Sequence, residues 1–201
     1  MTEENLTNLQ CKQQNDEQVY QINQVDQVME QSLNLIKNAE HKLMVEAEPN
    51  AVPFFKEALE QAAQRGVEVW AKIYLPENIK GVNTVVREKG HEIYARTNDI
   101  SFKFAADGRT MLIADITSDA KNVIQAFRSN SALMSMSIYS ALLYEIILTD
   151  LKQLIPNKEL EAANQLLQRT AHLHPMSTKN EVFQHYETKY HNLRNQNNEH
   201  N

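Results

Sequence analysis

The stretch from Lys42 to Tyr74, KLMVEAEPNAVPFFKEALEQAAQRGVEVWAKIY, decides the fold class. Its two ends, KLMVEA and VEVWAKIY, are rich in residues that favour strands. Between them, Pro49 and Asn50 indicate a turn and the start of a helix, and Gly66 suits the left-handed residue that ends it. Strand, helix and strand in so short a segment predict a right-handed crossover and parallel pairing. The fold class is therefore α/β.

The elements on either side extend this unit into a mixed sheet flanked by helices. Gln18–Ile22 alternates as a short strand, and the apolar residues from Val25 to Ala39 follow helical spacing. Asp107-Gly108-Arg109 between two apolar runs predicts a hairpin. The other predicted elements are a helix at Asn78–Glu88, strands at His91–Ala95, Phe102–Ala106, Thr110–Ala114 and Asn122–Phe127, and a helix at Ser131–Leu154.

Three segments are expected along the chain. Residues 1–17 are rich in Gln, Asn and acidic residues and predict a polar linker. Residues 18–155 form the α/β domain, and residues 156–201 form a helical tail. Within that tail, Lys158–Leu173 and Glu181–Arg194 each carry one thin apolar stripe. Such stripes need a partner, which is either the body of the protein or a second subunit.

Composition limits the classes of function. The 201 residues carry a net charge of −6, which argues against a nucleic-acid surface. The single cysteine, Cys11, cannot form an intramolecular disulfide and fits a reducing cytoplasm. The first residues have no apolar core and are not a signal peptide. The longest apolar stretch, Ile138–Leu148, is too short to span a bilayer, so no membrane association is expected.

The order of elements suggests a test for phosphodiesterase chemistry of the phospholipase D type. That chemistry needs His-x-Lys on a strand, the His as nucleophile and the Lys to stabilise phosphoryl oxygens, followed by an Asp. Here Ser101 and Lys103 share a face, but serine stands where the histidine is needed and Asp107 comes one residue early. A structural role is the simpler interpretation of both residues: Lys103 is a lysine on the sheet face, and Asp107 forms the turn. No catalytic residue is predicted.

Metal and cofactor sites are not predicted either. The histidines of the tail have no accompanying cysteine and fit no common zinc spacing. The chain has four glycines, none close together, so it lacks a Gly-rich phosphate loop. No serine lies in a nucleophile elbow.

Polar residues near predicted strand ends are the candidates for ligand binding. Glu46 and Glu48 end a strand expected to be central, where ligands bind in open α/β sheets, and carboxylates accept hydrogen bonds from sugar hydroxyls. The alternative is a helix N-terminal charge effect for Glu48 and simple solvent exposure for Glu46. The further candidates are Lys72, Arg96, Asn98, Ser101, Lys103, Ser129 and Asn130.

Several segments resemble one family. The run Val19–Glu48, VYQINQVDQVMEQSLNLIKNAEHKLMVEAE, resembles the entry to the effector domain of TrmB-type regulators, with its Ile-x-x-Ala-Glu pattern at Ile36–Glu40. The other similar segments are the Arg-Gly-Val step in Leu59–Val69, the Ala-Asp-Gly-Arg hairpin in Phe104–Ala114, the last strand and turn at Gln125–Asn130 and the helix Leu133–Leu154.

The resemblance covers roughly Val19 to Ile155. It implies a phospholipase-D-like α/β domain that has lost catalysis, binds a small effector, typically a sugar, and acts as a homodimer. Members of the family carry an N-terminal winged helix that binds operator DNA. Some seventeen polar residues cannot form one, so this chain is not expected to bind DNA directly. Two alternatives stay open: a module that pairs with full-length regulators, and a degenerate phosphodiesterase.

Overall fold

The computed structural model describes residues 17–90, 92, 98–177 and 180–198, with side chains to residue 191. One mixed sheet of seven strands runs through it, in the order β1-β7-β6-β5-β2-β3-β4. The strands are β1 (Val19–Gln21), β2 (Lys42–Ala47), β3 (Glu68–Ile73), β4 (Asn83–Val86), β5 (Ile100–Ala106), β6 (Thr110–Ile116) and β7 (Val123–Ser129). The helices are α1 (Val25–Asn38), α2 (Val52–Gln64), α3 (Ala132–Leu154), α4 (Leu160–Thr170) and α5 (Glu181–Asn198).

The two strongest local signals in the sequence are confirmed. Strands β2 and β3 are parallel and joined by α2, after which Gly66 takes a positive φ of 93°. Strands β5 and β6 form an antiparallel hairpin, and Asp107 and Gly108 in its turn have φ values of 54° and 61°. The α/β class and the mixed sheet follow from these two units.

The helix predicted at Asn78–Glu88 is wrong. Strand β4 lies there and pairs in parallel with β3, Asn83 opposite Trp70. Gly81, with a φ of 78°, interrupts any helix just before it, and the valines that follow favour an extended chain. The strand predicted at His91–Ala95 lies outside the described residues apart from Glu92, as does the polar linker apart from Glu17.

Helices cover both faces of the sheet. Helices α1 and α2 pack on one face, where the Phe55 ring lies edge-on to Phe102 and Phe104 with centroid distances of 4.7 and 5.0 Å. Each such pair contributes roughly 0.5–1.5 kcal/mol beyond the area that it buries. Helix α3 packs on the other face, which we call the α3 face. Its core includes Met44, Trp70, Ala105, Tyr139, Leu142 and Ile146.

The tail packs on the body through part of its apolar residues. Leu166, Leu173 and Val182 are buried in the core of the α3 face, and the Tyr139 hydroxyl donates to the Leu173 carbonyl at 3.0 Å. Helix α5 also begins with an ion pair between Glu181 and the buried Lys42. The body is therefore the partner of these residues.

Helix α3 is longer than the apolar stretch that the sequence singled out. Among the described residues it is the one helix long and apolar enough to cross a membrane by length and composition, and 33% of its most apolar window is buried. Its inner residues, including Leu143, contact the sheet core, as they do in the central helix of a packed domain.

Candidate functional site

A row of polar side chains crosses the α3 face near the ends of β2 and β3. Because directly opposite residues share a face, the registers place Lys103, Glu46 and Lys72 side by side on β5, β2 and β3. Tyr74, just after β3, and Glu145 of α3 complete the set, which we call the polar cluster. The sequence candidates Glu46, Lys72 and Lys103 therefore come together.

Glu46 is the centre of the polar cluster. Its Oε1 lies 3.0 Å from the Lys72 Nζ, and its Oε2 accepts a hydrogen bond from the Lys103 Nζ at 2.9 Å. The Tyr74 hydroxyl also donates to Oε1. Burial would raise the pKa of Glu46, but the hydrogen bonds from Tyr74 and Lys103 and the positive charges of both lysines lower it to about 2. Glu46 is thus an anion that neutralises its lysines.

The two lysines differ in exposure. The Lys72 side chain is 3% exposed, and it also contacts the Glu145 Oε2 at 2.9 Å. The Lys103 side chain is 41% exposed. Lys72 is therefore a fixed internal cation, whereas Lys103 offers its remaining N–H donors to solvent or to a ligand.

Acidic and hydroxyl groups extend the site beyond the polar cluster, toward the end of β2 and the start of β5. Ser101 lies directly opposite Asp115, and the Glu48 backbone N–H donates to the Ser101 carbonyl at 3.0 Å. The Ser101 side chain also hydrogen-bonds the Glu48 carboxyl. Burial, with the negative charges of Asp115 and Glu46, raises the pKa of Glu48 to about 7. Near neutral pH, Glu48 thus exchanges between a donor and an acceptor.

This shift predicts a pH-dependent effect of Glu48→Gln. The pKa of Glu48 is about 7 in the folded protein against an ordinary glutamate value of 4.5, so the folded state loses stability relative to the unfolded chain as pH rises between these values. Glutamine removes that loss. We expect the melting temperature of the variant to exceed that of the wild type more at pH 8 than at pH 5. An equal difference at both pH values would contradict the raised pKa.

The remaining candidates lie elsewhere. Ser129 is fully buried, and its hydroxyl donates to the Gln18 carbonyl at 2.9 Å. Asn130 accepts from the Gln18 N–H at 2.9 Å. The ladder places Ser129 level with Met111, at the end of the sheet away from the polar cluster.

The last two candidates, Asn98 and Arg96, precede β5. Asn98 is exposed, and its carbonyl accepts from the Asn50 amide at 2.6 Å, so it belongs to the loop that precedes β5. Arg96 lies outside the described residues.

Three residues of the site were missed by the sequence reasoning. Tyr74 follows Lys72 by two positions, and strand alternation could have placed it on the same face. Asp115 could have been found from the hairpin, since its register pairs it with Ser101. Glu145 has no comparable signal, because its contact with Lys72 depends on how α3 crosses the sheet.

The structure places Asp107 far from Ser101 and Lys103, the two other residues that were compared with the phosphodiesterase motif. The Asp107 carboxylate accepts N–H donors from Glu40, His41 and Lys42 at 2.8, 2.9 and 2.8 Å. It lies past the far end of β5 from Ser101, a separation of roughly 20 Å at about 3.3 Å per strand residue. Asp107 therefore ties the hairpin turn to the start of β2.

Metal-ligating side chains do not gather in this site. Within residues 17–90, 92, 98–177 and 180–191, no group of three or more His, Cys, Asp or Glu side chains could hold a metal ion. The polar cluster pairs its acids with lysines instead.

The comparison with solved structures includes two proteins named NucT and Nuc. NucT from Helicobacter pylori is 11% identical, with a TM-score of 0.50 over 67% of this chain and 98% of that one. Nuc from Salmonella typhimurium, a phospholipase D family member, is 18% identical, with a TM-score of 0.44 over 61% of this chain and 89% of that one. The likeness to NucT shows a phospholipase-D-like fold.

A chromatin protein also appears among these structures. The archaeal chromatin protein TrmBL2 is 10% identical, with a TM-score of 0.41 over 70% of this chain and 57% of that one. A search of curated proteins found no match. The model of the N-terminal subdomain of the TrmB effector-binding domain matches residues 18–136, more than half of the chain. The chain therefore belongs to the TrmB family of transcriptional regulators.

Proposed function

We propose that this chain is the ligand-binding part of a TrmB-type transcriptional regulator, that it acts in the cytoplasm without catalysing a reaction, and that its effector is a sugar. Family membership supports the regulatory role. The polar cluster and its neighbours on the α3 face support the ligand class.

The observation that carries the proposal is the mixture of groups along one row of the sheet. Lys103, a half-exposed donor held by Glu46, lies directly opposite Ile113, which in turn lies opposite Phe127. Both apolar side chains are partly exposed. A sugar presents hydroxyl groups at its edge and C–H groups on its face, so adjacent polar and apolar side chains match it.

The same contacts support a role without catalysis. A phosphoryl-transfer site needs a nucleophile and cations available to phosphate oxygens. Ser101 instead hydrogen-bonds Glu48, and Glu46 neutralises Lys72 and Lys103. Phosphodiesterase activity that disappears in Lys103→Ala would overturn this part of the proposal.

A thermal-shift screen against mono- and disaccharides tests the sugar proposal. A ligand present at 100 times its Kd adds about 2.7 kcal/mol of stability. For a domain of this size we expect the correct sugar to raise the melting temperature by roughly 5–10 °C. Lys103→Ala should abolish most of that shift, because it removes the exposed donor of the cluster.

Lys56→Ala is the matched control. Lys56 is also a half-exposed lysine paired with a glutamate, Glu77, but it lies on α2, away from the α3 face. The shift should survive in this variant. If no sugar stabilises the wild type at concentrations far above plausible affinity, the proposal fails.

A second candidate function is a dimerisation or interaction module. It is favoured by large apolar side chains left exposed along α3 and α4, namely Leu133, Tyr144, Leu148, Leu160 and Leu167. Such a surface fits a homodimer or pairing with a full-length regulator. Light scattering after size exclusion tests it: a monomer at every concentration that binds no regulator would eliminate this candidate.

A further inference from the structure

A second cleft lies on the opposite side of the sheet from the polar cluster. It has a volume of about 370 Å³, within the usual size range of small-molecule sites. It opens between the edge strand β1, the neighbouring β7 and one flank of α1. Its lining residues are Tyr20, Gln21, Ile22, Gln27, Gln31, Arg128 and Asn130.

The fold brings these side chains together by three simple relations. Tyr20 and Arg128 are directly opposite each other on β1 and β7, so they share a face. Asn130 follows Arg128 by two positions. Gln27 and Gln31 are one helical turn apart on α1, and therefore project from the same flank.

The lining is unusual for a chain with a net charge of −6. Apart from Gln21, whose side chain lies on the other face of β1, it combines three amide side chains, one phenol and one guanidinium with a single aliphatic residue, Ile22, and no carboxylate. Amides supply both donors and acceptors, and the guanidinium supplies donors only. The cleft is thus suited to a polar molecule that carries negative charge.

Arg128 is the decisive residue. It is partly buried, and its guanidinium donates a long hydrogen bond of 3.3 Å to the neutral Gln31 side chain. Among the described side chains, no carboxylate lies within 4.0 Å of its guanidinium. By contrast, Arg109 is paired with Glu40 at 3.0 Å. A partly desolvated cation without a counter-charge gains stability when an anion binds.

We infer that this cleft binds a small polar molecule bearing a carboxylate or phosphate group. Arg128 binds the anionic group, for which its planar fork of donors is suited. Gln27 and Gln31 bind hydroxyl or other polar groups of the same molecule. This site is separate from the polar cluster, and its ligand class differs from the neutral sugar proposed there by its charge.

Calorimetric titration with matched probes tests the inference. The probes are glucose 6-phosphate, glucuronate, inorganic phosphate and neutral glucose, each added to the full chain at an ionic strength of about 0.15 M. We expect at least one of the two charged sugars to bind more tightly than glucose. Arg128→Gln should weaken that binding roughly 10- to 100-fold, because it replaces a charged hydrogen-bond donor by a neutral one. Tighter binding of inorganic phosphate alone would overturn the polar-molecule part of the inference.

Two control variants separate this site from others. Arg109→Gln removes an exposed arginine that already has a partner, and it should leave binding of the charged probe within about twofold, because long-range charge effects are screened. Gln31→Glu places a carboxylate beside Arg128 and should weaken binding as Arg128→Gln does, even if the latter folds poorly. Binding that is insensitive to Gln31→Glu, or absent for every charged probe, would overturn the inference without affecting the sugar proposal.

Discussion

Replacement of Asp107 by alanine is expected to lower the free energy of unfolding by about 3–5 kcal/mol, because three backbone N–H groups lose their acceptor and each such loss costs about 1–3 kcal/mol. The Asp107 carboxylate accepts three backbone N–H groups, from Glu40, His41 and Lys42, and the residue is 6% exposed. Alanine would leave these donors without their acceptor. It would also have to adopt a positive φ of 54°, which aspartate tolerates better.

Urea denaturation of the Asp107→Ala and Asp107→Asn variants measures this effect. Asparagine keeps one oxygen but turns an amide toward one of the N–H donors, so we expect a loss between those of wild type and alanine. Asp119→Ala is the control, since Asp119 is an exposed turn residue whose contacts are local. A loss for Asp107→Ala no larger than for Asp119→Ala would show that the carboxylate is dispensable.

Asp107 is also an example of why the fold could be predicted from the sequence better than the site: it marks its own turn by a local signal. Local signals, such as Asp107-Gly108 in the hairpin and Gly66 after α2, need special backbone angles and so mark their own turns. Strand β4 has no such signal. Its four residues are extended because β3 offers them a pairing edge, and this long-range pairing overrides the local pattern.

The sequence predicted those parts of the site in which strand alternation and strand pairing alone bring the side chains together. Glu46, Ser101 and Lys103 meet because β2 and β5 are neighbours in an antiparallel register. Ser129 and Asn130 were grouped with them on the ground that they also follow a strand. Strand β6 ends beside Ser101, and β7 runs antiparallel to β6. The end of β7 therefore lies at the opposite end of the strands from the polar cluster. The rule for strand ends assumes parallel strands, and all four pairings made by β5, β6 and β7 are antiparallel.

The second large effect is expected at Glu46. Glu46→Ala leaves Lys72, whose side chain is 3% exposed, with Glu145 as its acidic contact. Glu145 itself is 55% exposed, so water screens much of its charge. Removing one partner of a buried pair costs about 3–5 kcal/mol, because the other charge stays desolvated. We expect a loss of this size by urea denaturation and a smaller one for Glu46→Gln, which still accepts from Tyr74.

The contribution of Glu46 should also depend on pH. Its pKa is about 2 in the folded protein against an ordinary glutamate value of 4.5, so ionised Glu46 stabilises the fold above the higher value. That stability is lost as pH falls through 4.5 toward 2 and amounts to roughly 3 kcal/mol. Glu46→Gln cannot titrate. The difference in stability between wild type and this variant should therefore shrink from pH 7 to pH 3.

Glu77→Ala separates this effect from the general loss of a surface ion pair. Glu77 also accepts from a lysine, Lys56, but both of these side chains are well exposed, and such pairs contribute little because water screens them. Its stability relative to wild type should change little between pH 7 and pH 3. If Glu46→Gln and Glu77→Ala gave the same pH profile, the buried lysine would not depend on Glu46. The polar cluster would then be an ordinary charged surface, and the main structural support for a ligand site on the α3 face would be lost.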